Sequence, residues 1–182
     1  MANFSFLADK PEYRAFSKDC IDAEEAFQNS FDSCVKLVRT ALDAAVKWTY
    51  ANDKALSAQR KKLPVDKRDN LYDLTANETF ERAVGKDLAG KLHYCRKAGN
   101  AAIHNEREFS AEEAVKCLGN LFDFVQWIDK RYGKNFKPRA FNPEDVPAKD
   151  SALKKFLKGA GLVAVGVIGT LAAKILADKN KS

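Results

Sequence analysis

The sequence predicts an all-α protein: a compact helical bundle over residues 1–133, followed by a separate apolar C-terminal helix. Two long segments repeat apolar residues at three- and four-residue steps, which is the period of an amphipathic helix. No segment shows the strand-like alternation of apolar and polar residues. The 182 residues are 46% hydrophobic and include twelve Phe, which is enough for one buried core.

The first helices are predicted from Pro11 to about residue 27 and then, after a cap at Asn29 or Ser30, to about Tyr50. The second of these carries the stronger apolar stripe. Residues 52–70 are rich in charge and contain Pro64, so the sequence predicts a long loop, with some helix at its start. The elements that follow are a short one at Asn70–Leu74, a helix near Glu78–Val84 and a longer helix from Lys86 or Asp87.

The last helix of the bundle has a clear start signal. Ser110 and Glu113 form the pattern of a capping box, in which each side chain satisfies a backbone amide of the other residue. An apolar stripe follows and ends near Tyr132 and Gly133, with basic residues in the last turn.

The net charge of +6 is unevenly distributed. From Ser151 onward there are six lysines against one acid, so the first 150 residues are nearly neutral. The bundle therefore lacks the bulk positive charge typical of proteins that bind DNA or RNA non-specifically. A local basic cluster, Arg60–Lys62 with Lys67 and Arg68, is interpreted as a solvated loop.

The four cysteines are scattered, which indicates buried reduced thiols rather than a zinc site or a redox pair. Only His93 and His104 could join them as metal ligands, so neither a metal nor another cofactor is expected. The N-terminal residues lack a basic segment and a long apolar run, so we expect no secretory signal and a cytoplasmic protein.

A proline-containing linker is predicted at residues 134–150, before the apolar, lysine-flanked segment 151–182. Within that segment, residues 159–177 are apolar on all sides apart from Lys174. Such a helix either inserts into a membrane, here the inner membrane, or is buried against protein. Lys174 leaves both alternatives open, because its charge reaches an interface only by snorkelling.

One polar group of residues stands out as a candidate site. Arg96, Asn100 and His104 are four residues apart, which places them on one face of a helix. Together with Lys97 and Asn105 they could bind a phosphate, and His104 could transfer a proton. The alternative is a helix-end network in which His104 and Asn105 only cap the last carbonyl groups.

A resemblance extends over about residues 4–133. The chain resembles the HEPN superfamily (higher eukaryotes and prokaryotes nucleotide-binding), and in particular a helical domain of unassigned function. That domain is found at the N-terminus of type I restriction helicase–nuclease subunits and as stand-alone bacterial proteins. The residues that carry the resemblance are Phe4–Leu7, Ala41–Trp48, Asn70–Leu74, Arg96–Asn100 through His104, and Glu113–Ala114 through Trp127 to Tyr132.

The resemblance implies a HEPN-like bundle that forms a homodimer or higher homo-oligomer, a prokaryotic antiviral-defence context, and contact with nucleic acid or nucleotide. Many HEPN proteins are metal-independent ribonucleases with an arginine four to six residues before a histidine. His104 matches that histidine and Asn100 the polar position, but Gly99 stands where the arginine is expected. Arg96 lies one turn earlier.

These observations favour a non-catalytic HEPN-like module that binds or senses nucleic acid, nucleotide or a partner protein, with the C-terminal helix as an anchor or oligomerising element. One alternative is a metal-independent ribonuclease, a toxin or abortive-infection effector, with catalytic residues His104, Arg96 and Asn100. Another is a membrane-disrupting effector triggered through the helical domain.

Overall fold

The computed structural model describes residues 2–159, and over those residues the backbone is helical, with turns and loops but no strand. This confirms the all-α prediction. The α-helices are α1 (Ser17–Ala26), α2 (Phe31–Asn52), α3 (Lys54–Lys62), α4 (Leu71–Thr75), α5 (Glu78–Val84), α6 (Lys86–Ile103) and α7 (Ala111–Tyr132). Short 3-10 helices lie at Ser5–Asp9, Pro11–Tyr13, Val65–Lys67 and Pro143–Asp145.

Helix α2 is the centre of the bundle. It packs against α1, α6 and α7, and α6 and α7 also pack against each other. Ser30 caps α2 by accepting a hydrogen bond from the amide of Ser33 at 3.1 Å. The apolar stripe of α2 is fully buried, as its helical period predicts.

Helix α7 begins at the predicted capping box. The Ser110 hydroxyl accepts from the Glu113 amide at 3.3 Å, and the Glu113 carboxylate accepts from the Ser110 amide at 3.1 Å. Arg107 also pairs with Glu113, at 2.7 Å. The start of α7 is therefore fixed by local contacts that the sequence predicted.

The first predicted helix begins later than residue 11. A 3-10 turn at Pro11–Tyr13 comes first, and Phe16, with φ −139°, separates it from α1. Tyr13 and Phe16, on either side of this break, are both buried in the core, where their rings stack at 5.4 Å.

Residues 52–70, predicted as a long loop with some helix at its start, contain α3, which occupies about half of them. Asp53 caps this helix by accepting from the amides of Ala55 and Leu56 at 2.9 and 3.1 Å. The same carboxylate accepts from Arg131 and from the Tyr132 hydroxyl, both at 3.0 Å. Asp53 therefore joins the ends of α2 and α7 to the start of α3.

Residues 134–158, called the C-terminal arm below, lie against the bundle. The ring of Phe141 contacts the ring of Phe122 at 5.8 Å, and Val146 and Leu157 are buried. Asn142 exchanges two hydrogen bonds with Asn3, of 2.7 and 3.0 Å. The stretch predicted as a linker thus makes specific contacts with the helical domain.

A buried carboxylate ties the arm to α7. Asp129 is fully buried, and it accepts from Lys10, from the Tyr13 hydroxyl at 3.0 Å and from Arg139 of the arm at 3.5 Å. The Arg139 guanidinium also lies 4.1 Å from the ring centre of Phe6. Buried charges are tolerated when they are paired in this way.

The start of the C-terminal segment is helical over residues 151–159, with Asp150 accepting from the Leu153 amide at 2.7 Å. Within residues 2–159, no helix has the length and apolar character needed to cross a bilayer. The predicted apolar helix over residues 159–177 lies, apart from its first residue, outside the described residues.

Candidate functional site

A polar cleft lies between α2, α4 and α6, and it contains two of the predicted site residues, Arg96 and Asn100. Its volume is about 380 Å³. Helix α2 and the start of α4 form the rest of the wall. The lining residues are Arg39, Asp43, Lys47, Asp69, Asn70, Leu71, Tyr72, Arg96 and Asn100.

Helices α2 and α6 approach each other most closely where Gly99 faces Arg39. A Cβ atom at position 99 would lie 2.8 and 2.9 Å from the Cδ and Cγ atoms of Arg39, and closer still to its Cβ. Carbon atoms normally stay about 3.5–4.0 Å apart. No side chain fits at position 99 with the helices in this place, so an arginine there is excluded by packing.

Arg39 instead brings a guanidinium over this position from α2. Its Nε donates to the Oδ1 of Asn100 at 2.5 Å. Sequence reasoning missed Arg39, because it lies beside the buried stripe of α2 and the hydrogen bond that joins it to Asn100 connects positions 61 residues apart. The only sequence signal was Gly99, a small residue that permits a close helix contact.

Arg96 forms the opposite side of the cleft. Its guanidinium lies 4.9 Å from the ring centre of Tyr72, which is 55% exposed. The Nε atom of Arg96 is buried and has no hydrogen-bond acceptor among residues 2–159. A buried donor without a partner costs about 1–3 kcal/mol, so its persistence at this place requires an explanation.

The cleft carries an excess of positive charge. Lys47 pairs with Asp43 at 2.7 Å, and Asp69 pairs with Arg60. Neither Arg39 nor Arg96 forms an ion pair with any carboxylate in the part of the chain that the structure describes. Two guanidinium charges therefore remain uncompensated.

The unused hydrogen-bonding groups of the cleft are mainly donors. The Oδ1 atom of Asn70 accepts from the amides of Tyr72 and Asp73 at 2.9 and 3.4 Å, and that of Asn100 is occupied by Arg39. The Nδ2 groups of both asparagines have no acceptor within residues 2–159. Such an arrangement suits an anion rich in acceptor oxygens.

The remaining predicted site residues lie outside this cleft. His104 is exposed at the C-cap of α6, and its backbone amide donates to the carbonyl of Asn100 at 3.0 Å. Asn105 has φ +51° and accepts from Lys36 at 3.1 Å, while Lys97 is exposed. The contacts of Asn105 are those of a helix-end network.

His93 lies on α6 one turn before Arg96. Burial lowers the pKa of its imidazole, and the nearby charge of Arg96 lowers it further. The ring is therefore neutral at pH 7 and adds no charge to this face of α6.

The cysteines offer no reactive site. All four are buried and unpaired, and burial raises the pKa of the Cys20 and Cys34 thiols. Cys95 donates to the carbonyl of Cys117 at 3.6 Å. Among residues 2–159, no three His, Cys, Asp or Glu side chains lie close enough to hold a metal ion.

Comparison with known proteins gives one result. Residues 22–155 match the family described as Domain of unknown function (DUF4145). No curated protein and no solved structure matches the chain. The matched region covers well over half of the chain, including α2, α6, α7 and most of the C-terminal arm, and the chain belongs to this family.

Proposed function

We propose that this protein is a non-catalytic HEPN-like module that binds or senses a phosphate-bearing ligand, nucleic acid or nucleotide, in a prokaryotic defence context. The observation that carries the proposal is that two guanidinium groups, those of Arg39 and Arg96, line one polar cleft without forming an ion pair. A partner protein with an acidic or phosphorylated group would use the same chemistry.

A phosphate group fits what the cleft offers. Guanidinium groups form paired, charge-assisted hydrogen bonds with phosphate oxygens, each stronger than a neutral hydrogen bond. The Arg96 guanidinium donates to no acceptor within residues 2–159, so its terminal nitrogens are free to bind phosphate oxygens. The exposed face of Tyr72 provides a surface on which a base can stack.

The position of His104 supports binding rather than cleavage. A general acid or base must reach the reacting group directly or through one water molecule. His104 follows Arg96 by eight residues on one helix, which is a rise of about 12 Å. On α6 itself, Gly99 leaves no space for an arginine nearer to His104.

The biological context of the proposal rests on the resemblance to HEPN proteins and on the C-terminal segment. We propose a homodimer or higher homo-oligomer in the cytoplasm, attached to the inner membrane by the apolar helix. That helix, and with it the membrane-disrupting alternative, lies outside the described residues except for its first residue.

A second candidate function is metal-independent RNA cleavage. It is favoured by the placement of Arg96 and Asn100 in one cleft. In this function a second copy of the chain would supply His104. The two functions differ in what they require of His104, and this difference defines the test.

Binding and cleavage can be measured together on single-stranded RNA in EDTA. Fluorescence polarisation reports binding, and a denaturing gel reports cleavage, for the wild type, Arg96→Ala and His104→Ala. We expect RNA to be bound and left intact, with binding weakened about tenfold or more by Arg96→Ala, since one charge-assisted bond contributes about 1.5–3 kcal/mol. His104→Ala should bind as the wild type does.

Two results would contradict the proposal. Cleavage that is lost in both variants would establish the ribonuclease instead. A wild-type protein that binds neither RNA nor nucleotide would remove the proposed ligand class.

A further inference from the structure

We propose that the cleft recognises a terminal phosphate, a phosphate monoester at the end of a nucleic-acid strand or on a free nucleotide, rather than a phosphodiester inside a strand. This inference rests on the proposed function and names the part of the ligand that is recognised. It follows from the charge, the donor groups and the surroundings of the cleft.

The charge of the cleft matches a dianion. Arg39 and Arg96 supply two positive charges without carboxylate partners, because Asp43 and Asp69 are already paired with Lys47 and Arg60. A phosphate monoester carries about −1.5 to −2 charges at pH 7. A phosphodiester carries one, so it would leave a guanidinium uncompensated in a partly buried place.

The donors also exceed what a phosphodiester can use. The residues that line this cleft of about 380 Å³ include two arginines, Arg39 and Arg96, and two asparagines, Asn70 and Asn100, whose Nδ2 groups have no acceptor within residues 2–159. A monoester offers three strong acceptor oxygens, whereas a diester has two oxygens that are not part of its ester links. More of the donors in the cleft are therefore satisfied by a monoester.

The carboxylates that line the cleft disfavour a strand passing through it. Asp69 has a side chain that is 67% exposed, and Asp43, which is 28% exposed, lies on α2 one turn after Arg39. Each forms a neutral pair, but neither attracts a further phosphate. A strand that continued in both directions would bring its next phosphates towards these acids, whereas a strand end avoids at least one of them.

Tyr72 gives a place for the group that carries the phosphate. One part of its ring lies against the Arg96 guanidinium, and the side chain is still 55% exposed. A base joined to the terminal phosphate can stack on this exposed surface, which favours a nucleotide unit over inorganic phosphate.

The test compares one short single-stranded RNA in three forms, with a 5′-hydroxyl, a 5′-monophosphate or a 3′-monophosphate end, binding to the full chain. We expect one of the phosphorylated forms to bind at least tenfold more tightly than the form without a terminal phosphate. Arg39→Gln and Arg96→Gln should abolish this difference. Arg82→Gln, which changes an exposed arginine on α5 outside the cleft, should retain it.

A nucleoside monophosphate used as competitor distinguishes the two sources of the phosphate. If the nucleoside monophosphate displaces the phosphorylated RNA at an equal concentration, the natural ligand is a free nucleotide. If it does so only at a tenfold higher concentration, the natural ligand is a strand end. Equal binding of all three RNAs would overturn the inference and leave the proposed function standing. No binding of any RNA or nucleotide would overturn both.

Discussion

Gly99 allows α2 and α6 to come close enough to form the cleft, and substituting it tests that contact. In Gly99→Ala the new methyl group would lie 2.8 Å from the Cδ and 2.9 Å from the Cγ of Arg39, and closer to its Cβ. The Cβ atom is fixed to the backbone of α2, so a rotamer change of Arg39 does not relieve the overlap. The two helices must move apart.

The magnitude follows from two opposing effects. Overpacking of a helix contact costs about 1–3 kcal/mol, and the severity of this overlap favours the upper end. Alanine is more favourable than glycine in a helix by about 1 kcal/mol. We therefore expect Gly99→Ala to lower the free energy of unfolding by about 2 kcal/mol, or the melting temperature by about 4–8 °C.

Gly90 provides the matched control on the same helix. A Cβ atom there would have no neighbour within 4 Å, and the residue is exposed. Gly90→Ala should raise the free energy of unfolding by about 1 kcal/mol through helix propensity alone. Urea unfolding followed by circular dichroism measures both variants, and equal stabilisation by the two substitutions would refute the close packing of α6 on α2.

Three further predictions concern the charged groups. Replacing Asp129 by Asn should cost about 3 kcal/mol in urea unfolding, because two cationic partners lose a buried counter-charge; a cost below about 1 kcal/mol would contradict this network. Pairing with Arg107 holds the pKa of Glu113 at about 2, so its contribution to stability is present above about pH 4.5 and is lost as the pH falls towards 2. Unfolding measured across that range should be less pH-dependent in Glu113→Gln, and identical profiles would argue against the pairing. Replacing Arg96 by Met should raise the free energy of unfolding by about 1 kcal/mol, since it removes a buried donor without a partner, and should abolish phosphate binding; a destabilised variant would show that Arg96 is mainly structural.

The sequence predicted the helices whose signals are local. The apolar stripe and the N-cap of α2, and the capping box and apolar stripe of α7, depend on residues three or four positions apart. The same spacing placed Arg96 and Asn100 on one face of α6. Period and capping depend only on neighbouring residues, so they can be read without knowing the fold.

The parts that the sequence did not predict depend on contacts between distant segments. Some helix was predicted at the start of residues 52–70, but not the contact by which Asp53, the cap of α3, binds residues at the end of α7. The contact of Asn142 with Asn3 joins positions 139 residues apart. Arg39 belongs to the cleft only because Gly99 of another helix faces it. None of these long-range contacts produces a periodic pattern in the sequence.

The most direct test of the phosphate-binding cleft is the side-chain NMR signal of each arginine Nε–H and of the His104 ring during titration with a terminally phosphorylated single-stranded RNA. Arg39 and Arg96 report on the cleft, and His104 reports on the end of α6. We predict that the signals of Arg39 and Arg96 shift with the same dissociation constant while the His104 ring is unchanged. Shifts of the His104 ring with no change at Arg39 and Arg96 would contradict the account.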